Sequence, residues 1–243
     1  MLVLLLAGCG GGDEATTTDT GTTTTAPVET TELGVYFLYE GKVWPVLREV
    51  DARDDALTAA LEALLAGPTD EEEVQFGFST AIPEGVELES VSEGGAPQVE
   101  LSEDLPPEAL SQVVYTATRF VDVRSVEVGG ESYTRGDFED LTPAILVDGP
   151  LYFQSVPNPV RVTGTANTVE ATFPYELTDT DGRIVDKNFV TATSGSGTRG
   201  TFQFTTKEYD IPFDGVGALI VYELSAKDGS RINLREIPVR MSK

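Results

Sequence analysis

Histidine is absent from the 243 residues of this chain, and cysteine occurs once. The lack of histidine removes the usual general base and the commonest metal ligand of proteins. One cysteine excludes an intrachain disulfide and a zinc site built from several thiolates. No stretch reaches the ~20 apolar residues that a transmembrane helix needs. We therefore expect no cofactor and no membrane-spanning helix.

Basic residues are also scarce, since 16 Lys and Arg stand against 41 Asp and Glu, for a net charge of −25. From residue 148 onward, 10 basic and 12 acidic residues nearly balance, so the first 147 residues carry −23 of that charge. Such a surface repels phosphate backbones, which argues against nucleic acid as a partner. We interpret the acidity as a general property of the host's proteins or as a solubility feature, with a basic partner or a layer of cations as the alternative.

The only cysteine, Cys9, follows a short apolar run that ends in Leu6, Ala7 and Gly8. This order resembles the bacterial lipobox, which implies that the Cys9 thiol receives diacylglycerol and that Cys9 becomes the new N-terminus. No basic residue precedes the run, so we expect the true start of the chain to lie upstream, with a basic segment. The alternative is an ordinary cysteine in an apolar N-terminus. Acyl chains would anchor the protein at the outer face of the cytoplasmic membrane, making the membrane its first partner.

Residues 10–32, after this signal segment of residues 1–9, are rich in threonine and lack apolar periodicity. Such a segment cannot bury a core, so we predict a disordered linker. About 20 extended residues at ~3.3 Å each would reach about 65 Å from the lipid surface.

Residues 33–147 predict an α+β domain. A hairpin is expected from Leu33 to Val46 with its turn at Glu40-Gly41-Lys42, because both flanks are β-prone. The stretch DDALTAALEALLAGPT predicts a helix that is capped by Asp54 or Asp55 and ended by Gly67 and Pro68. Its predicted apolar face comprises Leu57, Ala60, Leu61, Leu64 and Leu65.

Two further strands are expected around a Gly94-Gly95 turn, followed by a second helix from Pro106-Pro107. The apolar face of that helix is predicted to comprise Leu110, Val113, Val114, Ala117 and Val121. A closing hairpin turns at Gly129-Gly130. The order ββαββαβ favours helices packed on one mixed sheet.

Residues 148–243 predict an all-β sandwich of the immunoglobulin type. Six or seven short strands alternate with turn signals such as Asp181-Gly182 and Asp228-Gly229, and no segment has a helical period. The domain boundary is expected between Ile145 and Pro150.

Each of these two predicted domains resembles a known family. The stretches ALTAALEALLAGPT, TAIPEGVELESV, VELSEDL and VVYTATRFVDVRSVEVGGE resemble the GerMN domain of spore germination and sporulation lipoproteins. The stretches VPNPVRVTGTAN, VEATFPYELTDTDGRIV and VYELSAKDGSR resemble the immunoglobulin-like domain of bacterial spore germination proteins. The resemblance implies an envelope lipoprotein whose first domain is similar to ring-building modules that pack against their own copies. It brings no established catalytic residue.

Other motifs are weak. Residues 195–200 match GxGxxG but precede a strand, so we interpret them as a hairpin loop. Asp179 and Asp181 resemble the start of a calcium loop, yet Gly182 comes too soon, and a β-turn is the main interpretation. The acidic run from Asp70 to Glu73 is interpreted as a solvated loop, with a docking patch for a basic partner as the alternative.

Aromatic residues cluster in the first hairpin and at the domain boundary. For Tyr36, Phe37, Tyr39 and Trp44 we expect core packing, with a sugar-stacking surface as the alternative. Tyr152 and Phe153, at the boundary, are expected to join the two domains.

The sequence therefore favours a non-enzymatic envelope lipoprotein that interacts with an envelope protein or with itself, in a role related to sporulation or germination. Contact with the cell wall is a further expectation. The alternative is a protein that binds or hydrolyses peptidoglycan or another carbohydrate through carboxylates and aromatic rings.

Overall fold

The computed structural model describes residues 29–52, 55–92 and 94–243. The lipobox residues, Cys9 among them, and most of the expected linker lie outside this part of the chain. Within it, the first unit comprises β1 (Thr30–Tyr39), β2 (Lys42–Asp51), α1 (Ala56–Leu65), α2 (Asp70–Phe76), β3 (Phe78–Ser79), β4 (Leu88–Val91), β5 (Gln98–Leu101), α3 (Pro107–Ala117), β6 (Val126–Val128), β7 (Glu131–Tyr133) and a 3₁₀ helix (Arg135–Leu141). Among the described residues, no helix is long and apolar enough to cross a membrane.

β1 and β2 form the expected hairpin, in which Tyr39 pairs with Lys42. The two connecting residues, Glu40 and Gly41, have φ angles of 50° and 72°. Two successive left-handed residues match the right-handed twist of the flanking strands, so the predicted turn is confirmed. β1 begins at Thr30, and the last residues of the expected linker therefore belong to this strand.

The helix predicted after this hairpin is confirmed as α1. The carboxylate of Asp55 accepts a hydrogen bond from the backbone N–H of Thr58 at 2.7 Å, which satisfies a free donor at the helix start. Gly67 has a φ of 81°, as a glycine just beyond a helix end should. The alternative cap, Asp54, lies outside the described residues.

The acidic run after α1 is a short helix, α2, and the solvated loop expected there is wrong. Thr69 and Glu72 form a capping box, in which each side chain accepts a hydrogen bond from the backbone N–H of the other. Four acidic residues in the first turn also complement the positive end of the helix dipole. Glu72 further pairs with Arg48 of β2 through two hydrogen bonds of 2.6 Å.

α3 packs across β1. Its Gln112 side chain donates to the backbone oxygen of Tyr36 at 3.2 Å, and the Thr116 hydroxyl accepts from the Tyr36 N–H at 3.1 Å. The prediction that Val121 continues the apolar face is wrong. The helix ends at Ala117, and Val121 is 88% exposed because the chain has left the helical period before reaching it.

The α+β class of the first unit is confirmed, but its strands form two small sheets instead of one. One sheet has the order β2-β1-β3, and the other has the order β4-β5-β6-β7 with a parallel β5–β6 pair. The split arises because, among the described residues, β3 is the one further strand of the first unit that pairs with the long hairpin, and it has two residues.

The second unit is the expected all-β sandwich. It comprises β8 (Ile145–Gly149), β9 (Ser155–Val156), β10 (Arg161–Ala166), β11 (Thr172–Thr178), β12 (Ile184–Thr191), β13 (Gly200–Thr205), β14 (Gly215–Leu224) and β15 (Arg231–Met241). A three-stranded sheet, β13-β10-β8, lies opposite a five-stranded sheet, β12-β11-β14-β15-β9. The segment expected as a boundary thus supplies β8. The GxGxxG loop joins strands of different sheets, so it is not the hairpin loop expected.

Gly164, in the middle of β10, allows the sandwich to close. A Cβ atom there would lie 2.1 Å from the backbone oxygen of Leu146 and 2.5 Å from the ring of Phe202. That ring packs edge-to-face on Phe173 of the other sheet, with centroids 5.0 Å apart. The missing side chain therefore leaves the space that the Phe202 ring occupies.

We predict that Gly164→Ala lowers the free energy of unfolding by about 1–3 kcal/mol, because the neighbouring backbone cannot move away cheaply. Urea denaturation measures the change. Gly136→Ala is the matched control, since its Cβ would meet nothing closer than the Thr134 hydroxyl oxygen at 3.5 Å. Equal losses in the two variants would contradict the prediction.

Candidate functional site at the junction of the two domains

The junction contains a buried arginine from the second domain, Arg235 of β15, which is 7% exposed. Its guanidinium carbon lies 3.5 Å from the ring centroid of Tyr39 and 5.1 Å from that of Trp44. The rings of Phe78 and Tyr152 follow at 5.5 and 5.0 Å. A cation among aromatic faces is attracted by their quadrupoles, most strongly where water is excluded. Because the Arg235 Nε atom has no hydrogen-bond partner among the described residues, these four rings are a main compensation for its burial.

Tyr152 extends this contact along the junction. Its hydroxyl donates to the backbone oxygen of Glu236 at 3.0 Å, and its ring packs edge-to-face on Phe78, with centroids 5.2 Å apart. Its backbone forms a parallel bridge with Val46 of β2. Phe153 packs edge-to-face on Phe76 at 5.2 Å. The Phe153 N–H also donates to the backbone oxygen of Pro238 at 2.7 Å. Tyr152 and Phe153 thus contact elements on each side of the junction, as expected from the sequence.

A second contact is centred on Asp148 of β8. Its carboxylate accepts hydrogen bonds from the Tyr36 hydroxyl and from Arg135 Nη1, the latter at 3.0 Å. Its backbone oxygen accepts from Arg119. The Arg135 guanidinium also lies 5.3 and 4.7 Å from the ring centroids of Tyr36 and Tyr115. One strand of the second domain therefore joins three elements of the first.

The protonation states of Tyr36 and Arg135 in this second contact are fixed near neutral pH. Burial raises the pKa of Tyr36 well above its ordinary value, although the nearby Arg135 opposes the shift. Burial disfavours the charge of Arg135, but Tyr36 and Asp148 outweigh it and raise the arginine pKa further. Tyr36 is therefore neutral and Arg135 is charged at physiological pH. Both residues fix the position of Asp148 and do not exchange protons.

A third contact pairs Arg199, in the loop before β13, with Glu139 of the 3₁₀ helix. The Nε atom of Arg199 donates to Glu139 Oε2 at 2.8 Å, and Nη2 donates to Oε1 at 3.1 Å. Asn167 donates to the same Oε1 at 2.8 Å. Burial acts to raise the pKa of Glu139, but the hydrogen bonds from Arg199 and Asn167 outweigh it and lower the pKa below its ordinary value.

A groove of about 1030 Å³ runs between the two domains beside the Asp148 contact. Three arginines, Arg119, Arg124 and Arg135, line it on the side of the first domain. Threonines of the second domain line the other side, among them Thr163, Thr165, Thr191 and Thr201.

The weak metal candidates lie away from the junction. Asp179 is buried, and its carboxylate accepts hydrogen bonds from Arg183 Nε at 2.9 Å and from the backbone N–H groups of Asp181 and Arg183. In residues 29–52, 55–92 and 94–243, no group of three or more acidic, histidine or cysteine residues could hold a metal. The calcium hypothesis for Asp179 and Asp181 stays a prediction that a calcium titration would test.

The hairpin aromatics are buried as the main interpretation expected. Tyr36 and Phe37 are 0% exposed and Trp44 is 4% exposed, whereas Tyr39 lies against Arg235. These four rings therefore do not form a sugar-stacking surface.

Sequence reasoning missed the residues that join the domains, namely Arg119, Arg135, Asp148, Arg199 and Arg235. One signal was available for Arg235, because it interrupts the apolar alternation of INLREIPVRM. Nothing in the sequence marks the others, since each partner lies 13 or more residues away.

We predict that the Glu139 contact contributes to acid sensitivity. Because the folded-state pKa of Glu139 is lowered, its stabilisation is present above the ordinary pKa of glutamate and is lost as the pH falls through the folded value. Glu139→Gln should therefore lower the melting temperature at pH 7, and the gap to the unsubstituted chain should narrow towards pH 3. Differential scanning calorimetry across pH 3–7 measures this, with the exposed Glu208→Gln as control. A gap that is constant with pH would contradict the prediction.

Comparison with known families gives one match in each half of the chain. Residues 34–133 match the family described as sporulation and spore germination. Residues 144–230 match the family described as the immunoglobulin-like domain of bacterial spore germination. Neither a curated protein nor a solved structure matches the chain. The chain thus combines, in this order, a domain similar to the sporulation and spore germination family with a domain similar to the immunoglobulin-like family of bacterial spore germination.

Proposed function

We propose that this protein is a non-enzymatic scaffold of the cell envelope that acts in sporulation or germination. The descriptions of both matched families name spore germination, and neither is a known catalytic family. In this proposal, a lipid on Cys9 holds the protein at the outer face of the cytoplasmic membrane, and the residues between Cys9 and β1 act as its tether. The two domains then present surfaces to an envelope protein.

The observation that carries this proposal is the buried junction. Domains of one chain usually move relative to each other unless their interface is large and apolar. Here one continuous cluster of buried side chains includes Tyr36 and Trp44 of the first domain and Tyr152 and Ile237 of the second. Arg235 is buried beside this cluster, where four aromatic rings surround its guanidinium group. A rigid pair of domains holds two surfaces at a constant distance, which a scaffold requires.

The chemistry of the junction also favours a scaffold over an enzyme. The chain has no histidine, and the junction acids Glu139 and Asp148 are each paired with an arginine. An acid that catalyses proton transfer near neutral pH needs a pKa raised towards that pH, and the pKa of Glu139 is lowered instead. The burial of the hairpin aromatics removes the sugar-stacking surface on which the carbohydrate alternative depended.

Lipid anchoring has a direct test. We predict that Cys9→Ser moves the protein from the membrane fraction to the soluble fraction and abolishes labelling by radioactive palmitate, because the thiol that accepts lipid is gone. Gly12→Ala, in the same segment, is the control and should stay in the membrane fraction. An unmodified N-terminus in mass spectra of the unsubstituted chain would overturn this part of the proposal.

The scaffold role is tested by crosslinking in cells. A photo-reactive residue at the exposed position of Val74 or Phe189 should capture one defined envelope protein. Incubation of the purified protein with peptidoglycan should release no muropeptides. Release of muropeptides that is lost on substituting one acidic residue would favour the hydrolase instead.

A further inference from the structure

The junction groove collects positive charge on a strongly acidic protein. Its lining contains three arginines and a single acidic residue, Asp148. The Asp148 carboxylate is already engaged by Arg135 and by the Tyr36 hydroxyl. The charges of Arg119 and Arg124 therefore have no carboxylate partner in the groove.

These two arginines are available to a ligand in different ways. Arg124 is exposed, and its side chain makes no hydrogen bond or ion pair with another residue in the described part of the chain. Arg119 is held in place, because one of its amino groups donates to the Asp148 backbone oxygen and its guanidinium lies against Gly34. A Cβ on Gly34 would lie 2.3 Å from Arg119 Nε, so this glycine makes room for the arginine.

The opposite wall carries hydrogen-bonding groups on a flat surface. Thr163 and Thr165 of β10 pair with Gln203 and Thr201 of β13, so the four side chains form a patch on the outer face of the three-stranded sheet. Thr163 makes no side-chain hydrogen bond within the described residues. The wall therefore offers hydroxyl and amide groups beside the exposed Arg124 and beside Arg119, whose charge has no carboxylate partner in the groove.

We propose that this groove binds an anionic oligosaccharide. Arginine matches carboxylate and phosphate groups through paired hydrogen bonds, and threonine hydroxyls suit a ligand rich in hydroxyl groups. The apolar side chains in the lining, Val123 and Phe202, are 6% and 5% exposed, so they offer little to the side chains of a peptide. This binding goes beyond the scaffold role, which requires no glycan.

Isothermal titration of the full chain tests the proposal. The probes are tetragalacturonate as a carboxylate source, phosphorylated maltotetraose as a phosphate source, neutral maltotetraose and tetraglutamate. At least one anionic glycan-type probe should bind tenfold or more tightly than maltotetraose, and its binding should weaken between 50 and 300 mM salt. The tighter of the two anionic probes identifies the charge that the groove prefers.

Two variants locate the site. Arg124→Gln should weaken binding about fivefold, and Thr163→Val should weaken it less, because a charged hydrogen bond is stronger than a neutral one. Both should melt at the temperature of the unsubstituted chain. Lys227→Gln is the matched control, since it removes one positive charge from the turn between β14 and β15, outside the groove.

Three results would overturn the proposal. They are the absence of binding by both anionic probes at millimolar concentration, equal losses in Arg124→Gln and Lys227→Gln, and binding of tetraglutamate as tight as that of the better anionic probe. None of these results bears on lipid anchoring or on the capture of a protein partner, so the scaffold proposal is tested separately.

Discussion

The guanidinium group of Arg235 is removed from water by four aromatic rings that no single element supplies. Three rings come from the first domain, on β1, β2 and β3, and the fourth is Tyr152 in the segment after β8. Burying a cation costs several kcal/mol unless its surroundings compensate. That compensation exists only when both domains are folded and in contact. The charge of Arg235 is therefore compensated when the two domains are in contact. Separation of the domains would also expose a large aromatic surface.

The Asp148 and Glu139 contacts fix what the Arg235 contact alone would leave free. One point of attachment permits rotation about it, whereas contacts at β15, at β8 and at the loop before β13 prevent that rotation. The groove between the domains consequently has walls of fixed separation. Arg119 shows how closely this is adjusted, because it reaches Asp148 only across the space left by Gly34.

Local patterns in the sequence predicted the elements whose causes are local. The cap at Asp55, the glycine at 67 and the turn at Glu40-Gly41 are each decided within a few residues, and each is confirmed. The α2 helix was missed although its signal was equally local, since Thr69 and Glu72 have the spacing of a capping box. The acidic run was interpreted by its charge, as a solvated loop, and not by the spacing of Thr69 and Glu72.

The candidate site was beyond such reasoning because its causes are long-range. Arg235 and Tyr39 are separated by most of the folded chain, and no pattern near either residue indicates the other. The same holds for Tyr36 and Asp148, 112 residues apart. The position of Tyr152 and Phe153 at the junction was predictable, because a pair of aromatic residues at an expected boundary needs a surface to cover it.

The distribution of charge bears on which partner the proposed scaffold would contact. The first 147 residues carry −23 of the net charge, and two of their arginines, Arg119 and Arg135, are used to hold the second domain. Two copies of such a domain repel each other once they approach within the screening length of about 8 Å at physiological salt. Self-association through the first domain would therefore need a layer of cations between the copies. A basic surface on a different envelope protein meets no such barrier, and electrostatic attraction would speed its encounter with the acidic domain. The charge thus favours a basic partner over a second copy of this chain.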